Sequence, residues 1–317
     1  MSSVLELSRM DKRVLSIGHK LATANADLCA DRAIATGVVL HSLSQYGRDY
    51  RRAVTSAFNL GRHPGVLAVA TGSRAELAGL RENDQVVKVD GQVLAGSAPG
   101  SKANFSETAS ATDILEQQLA DGSAVLDIIR DGEVLRISIE AEQGCPSRFQ
   151  VVPSSAFSGK ADGDYVQLSS GLVQRVESDD ELAAVLAHEL SHNILRHKVR
   201  LNEAGVKRGL LRYFGKNASR IKQTEIEADR LSVHLLFRAG YAPEAAEAFW
   251  RRFGPQHPWG PFGSPTHPGW RDRAGTLRVE TEELRRRVSV GAPLLPDFAT
   301  PDLAQSQNAE ASPGLNQ

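Results

Sequence analysis

Cysteine is scarce in this sequence: Cys29 and Cys145 are the only two in 317 residues. Neither stands in a C-x-x-C spacing, which excludes a metal site built from cysteines. The pair leaves two readings open, buried thiols or a single disulfide, and the second implies an oxidising compartment. Charge of one sign is also lacking. The net charge of -1 leaves no basic footprint for nucleic acid. Long apolar runs are missing too. No stretch approaches the 18 or so residues that a membrane-spanning helix needs, and MSSVLELSRMDKRVLSIGHKLA lacks the apolar centre of a signal peptide. The expectation is a soluble chain, and a leader removed earlier would leave no trace. What is present, 41% hydrophobic and 24% charged residues, is the balance of a folded globular protein.

Residues 4–45 read as helical, because Val4, Leu5, Leu7, Val14, Leu15, Ile17, Leu21 and Ala24 recur largely at spacings of three and four. They make residues 1–60 an N-terminal helical segment. From Pro64 the texture changes. VLAVAT (66–71) reads as a strand, SRAELAGL (73–80) as a short helix, and DQVVKVDGQVL (84–94) as two strands turning at Asp90-Gly91. After a Gly/Ser/Asn-rich loop (95–107) and a helix around 110–119, the stretch 123–141 reads as a hairpin turned at Asp131-Gly132. These residues resemble a PDZ domain of the kind attached to bacterial proteases. The resemblance covers about 64–141 and rests on Gly65-Val66 before a strand, on GSRAELAGLRENDQVVKVDGQ and on the closing hairpin. It implies a groove that takes a peptide as an added strand beside a helix. A structural β module with a blocked groove is the plainer alternative.

Residues 146–290 form a further domain, in which RFQVVP and DYVQLSSGLV are strand-like and helices follow. From 291 the chain is rich in Pro, Ala, Ser, Gln and Asn and reads as a disordered tail to 317. The fold class expected is α+β: a helical catalytic domain with a small β-sheet, a β-rich domain ahead of it, and the N-terminal helical segment.

The chemistry concentrates in ESDDELAAVLAHELSHNILRH (177–197). Ser178 followed by Glu181 is a capping box, so a helix starts there. Leu182, Val185, Leu186, Leu190 and Ile194 give it one apolar stripe. His188 and His192, four apart, share a helix face about 5–6 Å apart at Cβ and can grip one ion. Glu189, rotated by about 100°, can reach a water at that ion without ligating it. This is H-E-x-x-H, and two unpaired imidazoles on an apolar helix are costly to bury without a metal. The three-histidine extension fails, with Leu195 and Lys198 where Gly and His would stand. His197, one residue out of step, reads as a surface histidine near the helix end. Zinc then needs a third ligand from elsewhere, with a fourth position left open for catalysis. In TEIEADRLSVHLLFRAG (224–240), Glu225 and Asp229 lie four apart on a helix stopped by Gly240. A carboxylate there completes a His₂Glu site, and Asp229 is placed to accept the outer N–H of a ligating imidazole. Glu227, on another face, reads as solvated, and His234 as a packed or surface histidine.

The segments ELAAVLAHELSHNILRH, EIEADRLSVHLL and PTHPGWRDR resemble, in order, those of the HtpX-like, Oma-like and BepA-like zinc metalloendopeptidases of the zincin, gluzincin type. The resemblance covers about 146–275. It implies Zn2+ as cofactor, Glu225 as third ligand and Asp229 behind the ligands. It also implies that His267 of the T-H-P-x-x-x-x-R segment lies near the metal, with Arg273 at the matching distance. There His267 would stabilise an oxyanion or coordinate the zinc at rest. The family's substrate-aligning edge strand maps to Ser155-Ala156-Phe157-Ser158, with Ser in place of the usual Asn. The implied activity is hydrolysis of peptide bonds in protein substrates with Glu189 as general base, in envelope protein quality control, regulated by peptides held at the PDZ-like module. The implied location is the bacterial periplasm or envelope, with the cytoplasm as the alternative. A rival from another class is a peptide-binding or chaperone-like protein with a latent zinc site.

Overall fold

The computed structural model describes residues 2–94, 96, 102–206, 215–256 and 264–296. The chain divides into two compact units. The first gathers residues 1–19, 33–144 and 149–155, and the second 20–32, 145–148 and 156–317.

Helix α1 (Ser2–Ala24) opens the chain, with Val14, Ile17 and Leu21 buried along one face. The helical expectation for 4–45 holds to Ala24 and a 3₁₀ turn at Ala26–Leu28, then fails. Strands β1 (Ala33–Ile34) and β2 (Val38–His41) come next, before α2 (Arg48–Phe58) resumes the helix. The reason is nonlocal. Val38-Val39-Leu40 suits either structure by periodicity, and a ladder to a strand far along the chain decides it. That strand is β3 (Gly65–Val69), antiparallel to β2 with Val38 opposite Val69 and His41 opposite Gly65.

The rest of the first unit obeys its turn chemistry. Ser73 caps α3 (Arg74–Leu77) by accepting from the Glu76 N–H. Strands β4 (Gln85–Val89) and β5 (Gln92–Val93) turn at Asp90 and Gly91, both at positive φ. Helix α4 (Ser106–Leu119) starts earlier than expected. Strands β6 (Ser123–Arg130) and β7 (Glu133–Glu140) pair in register through a turn at Asp131 and Gly132, also at positive φ. The sheet order is β2-β3-β4-β6-β7, with β5 beside β4. Strand β2, which precedes the range 64–141 that the sequence suggests for this module, is therefore an edge of its sheet. Ala111, Leu115 and Leu119 of α4 close the core over Val66, Val86, Leu126 and Ile128. Strand β8 (Gln143–Gly144) pairs with β1, and β9 (Arg148–Val152) ends the unit.

In the second unit, Cys29 and Cys145 form a disulfide, which selects the second of the two cysteine readings. Buried Asn25 donates from Nδ2 to the Leu21 and Leu235 carbonyls and accepts from Arg238 at Oδ1. Strands β10 (Gly159–Ala161) and β11 (Tyr165–Ser169) pair antiparallel, and α5 (Ser170–Val173) succeeds them. Helices α6 (Asp179–Ile194), α7 (His197–Glu203), α8 (Gly215–Arg238), α9 (Glu244–Phe253) and α10 (Trp270–Val290) complete the unit. Mixed helix and sheet make the fold α+β. No described helix is long and apolar enough to cross a membrane. Residues 291–296, expected in a disordered tail, are bound to helices: Arg287 donates to the Leu295 carbonyl, and the Leu294 carbonyl lies 2.9 Å from His234 Nδ1. Residues 297–317 lie outside the described residues.

Candidate metal centre and active site

Helix α6 presents the first residues of the site. The Ser178 side chain accepts from the Glu181 N–H, and Asp179, Asp180 and Glu181 occupy the first turn, where the helix dipole favours negative charge. Leu182, Leu186 and Leu190 are wholly buried, so the apolar stripe seats the helix and fixes the direction of His188 and His192. Their Nε2 atoms converge to 3.2 Å.

Helix α8, with Ala228 wholly buried, packs against α6 and brings Glu225 to the same point. Its carboxylate lies 3.5 Å from His188 Nε2 and 3.6 Å from His192 Nε2. One donor atom from each of the three falls within 4.8 Å of the others. Donors about 2.0–2.1 Å from a tetrahedral zinc stand about 3.3 Å apart, so these spacings, and the two-imidazole, one-carboxylate set, fit that ion.

Behind His188, the Asp229 carboxylate lies 3.0 Å from Nδ1 and takes both Nε (2.7 Å) and Nη2 of Arg273. Arg273 in turn lies 3.9 Å from the centre of the Trp250 ring. Burial and the Arg273 charge oppose protonation of His188, yet its bonds to Asp229 and Glu225 outweigh them and raise it to about 9. Burial, helped by the neighbouring His188, His197 and Arg273, sends His192 the other way, to about 3, against the pull of Glu225. Glu225 is held well below the usual carboxylate range by the two imidazoles, against its burial.

Glu189 lies half-buried beside this cluster, and desolvation pushes its carboxyl up to about 7. It faces β10: the Ala161 N–H donates to it, and a methyl added at Gly159 would come 2.7 Å from Glu189 Oε1. A cavity of about 850 Å³ opens over these residues. Phe157, Phe249 and Phe253 form one wall, with the Phe157 ring centre 4.7 Å from that of Phe253 and 6.0 Å from that of Phe249.

Three expectations are corrected. Residues 155–158 are not a strand. The Ala156 carbonyl accepts from Ser169 Oγ and the Ser158 carbonyl from the Ser169 N–H, which ties the segment down as a loop. The edge strand is β10, three residues long and immediately after it. His197 is no surface residue: it is 2% exposed, with Nδ1 2.9 Å from His192 Nδ1. Arg196 adopts the left-handed conformation at φ 51°, which breaks the helix and folds His197 back. Glu227 is not solvated either, because α7 covers that face of α8, and its carboxylate lies 3.1 Å from His197 Nε2. The break at Arg196 carries no strong sequence signal, and a helix continued through it places both residues wrongly. His267, half exposed, lines the cavity with Nε2 3.9 Å from Glu225 Oε1.

Residues 134–222 match the model of peptidase family M48, a stretch that includes His188, Glu189 and His192 and ends short of Glu225. Over 152 residues the chain is 29% identical to a protein of Vibrio cholerae described as a putative beta-barrel assembly-enhancing protease, covering 38% of this chain. The aligned stretch spans 31% of that relative's length. Over these parts of its length, the chain is similar to peptidases of family M48.

Proposed function

We propose that the chain is a zinc-dependent endopeptidase whose metal is held by His188, His192 and Glu225. The observation that carries this reading is the convergence of two imidazole nitrogens and a buried carboxylate beside Glu189, in a cavity bordered by an edge strand. Bound there, zinc supplies Lewis-acid polarisation of the scissile carbonyl and acidifies a water. Asp229, held by Arg273, orients His188 by accepting its Nδ1–H. Glu189 takes the proton of the attacking water and hands it to the leaving amine. Its raised affinity for protons suits both halves of that transfer. The outer edge of β10 offers backbone groups to an extended peptide, in place of residues 155–158. His267 serves at the rim, either donating to the developing oxyanion or occupying the open metal position at rest.

The substrates are proteins or peptides. The first unit acts as a PDZ-like peptide-binding module that regulates cleavage, now taken to include β2, whose open edge beside α4 supports that role. The disulfide supports the bacterial periplasm or envelope as the working compartment.

Zinc content and cleavage of casein test the reading. The wild type should hold about one zinc per chain. Glu189→Gln should keep the metal and lose cleavage. A variant that cleaves at the wild-type rate would remove Glu189 from the mechanism, and a wild type without zinc would overturn the site.

A further inference from the structure

Both imidazoles of the candidate metal centre have their outer nitrogen occupied, in different ways. His188 reaches a carboxylate directly, at Asp229. His192 does not. Its Nδ1 lies 2.9 Å from Nδ1 of His197, and His197 Nε2 lies 3.1 Å from Glu227 Oε2. Arg200 Nη1 donates to that same Oε2 at 2.7 Å, and Gln223 Nε2 donates to Oε1 at 3.2 Å. Each arm thus ends on a carboxylate of α8 gripped by an arginine, Asp229 by Arg273 and Glu227 by Arg200.

Hydrogen-bond roles along the longer arm allow one consistent arrangement. A zinc ligand bound through Nε2 carries its proton on Nδ1, so His192 donates to His197 Nδ1. His197 then carries its own proton on Nε2 and donates to Glu227 Oε2. Every donor in the chain meets an acceptor.

We propose that His197 and Glu227 are positioning residues for His192, forming a relay that fixes its ring and tautomer and raises its strength as a zinc ligand. The proposal rests on the reading of this centre as a zinc site. The relay exists because α8 carries Glu227 two residues from Glu225, hence on another helix face, out of reach of His192. A second imidazole, brought round by the turn at Arg196, spans that gap.

The test is zinc affinity of the full chain by competition with a chromophoric chelator, together with thermal unfolding of each metal-free protein. His197→Phe fills the space but accepts nothing, and should weaken zinc binding about 10–100-fold. His197→Asn places a carbonyl acceptor where Nδ1 stood, and should recover most of that loss. Glu227→Gln keeps an acceptor and removes the charge, so its loss should be intermediate, with a shifted visible absorption band in the cobalt-substituted protein. Wild-type affinity in His197→Phe, or equal losses in the Phe and Asn variants, would overturn the relay. If His197→Phe fails to fold, Glu227→Gln decides: unchanged affinity and an unchanged cobalt spectrum overturn it. A wild type that binds no zinc overturns the metal reading itself, a result distinct from all of these.

Discussion

At the scale of single residues, the site depends on one missing side chain as much as on those present. Gly159 stands on β10 with no room for a methyl, since a Cβ there would crowd Glu189 Oε1 at 2.7 Å and Leu168 Cδ2 at 3.1 Å. The flexible member of that contact is the carboxylate, so Gly159→Ala would move the proposed general base and leave the candidate metal ligands on α6 and α8 in place. The expected result is unchanged zinc content with cleavage lowered by about 10²-fold, the lower range for a displaced acid–base group. Cleavage at the wild-type rate would show that Glu189 tolerates the shift and that the close approach has no catalytic meaning. His188, Glu189 and His192 are legible in the sequence because their spacing on one helix is itself the geometry. His197 is not, because its position depends on one backbone torsion.

At the scale of elements, that torsion joins α6 to α7. Arg196 at φ 51° is in a region that costs an L-residue about 1–2 kcal/mol and a β-branched one more. Arg196→Gly should be tolerated or slightly stabilising, whereas Arg196→Val should lower the unfolding midpoint and weaken zinc binding by displacing His197. Chelator competition on the two variants checks this, and equal affinities would sever the link between the turn and the metal. The strands show the same limit on local reading. The hairpins at Asp90-Gly91 and Asp131-Gly132 are readable because two consecutive residues at positive φ favour those residue types. Strand β2 is not, because its four residues become a strand only through the ladder to β3. Residues 155–158 show the opposite case: the family resemblance implies a strand there, and Ser169 holds them as a loop through its side chain and backbone.

At the scale of the whole molecule, the disulfide joins positions 116 residues apart, and its two cysteines bracket the long run 33–144 in sequence. A covalent tie across so long a loop removes much freedom from the unfolded chain, about 2–4 kcal/mol in typical proteins. Cys29→Ser with Cys145→Ser, or reduction of the wild type, should lower the unfolding midpoint by several degrees. An unchanged midpoint under reductant would show that the bond adds nothing to stability, and would weaken the argument for an oxidising compartment.

The sequence by itself determined the parts of this protein that one element can hold. These are the H-E-x-x-H face of α6, the pairing of Glu225 with Asp229 on α8, the two hairpins, and the helix starts at Ser73 and Ser178. Each is fixed by spacing within a turn or two of chain, where periodicity and capping chemistry act directly. The tertiary structure alone decided which residues meet across elements. It made β2 the edge of a sheet, turned His197 inward onto His192, covered Glu227, set β10 against Glu189 and closed the bond between Cys29 and Cys145. Those outcomes depend on contacts between residues far apart in the chain, whose energies no local pattern records.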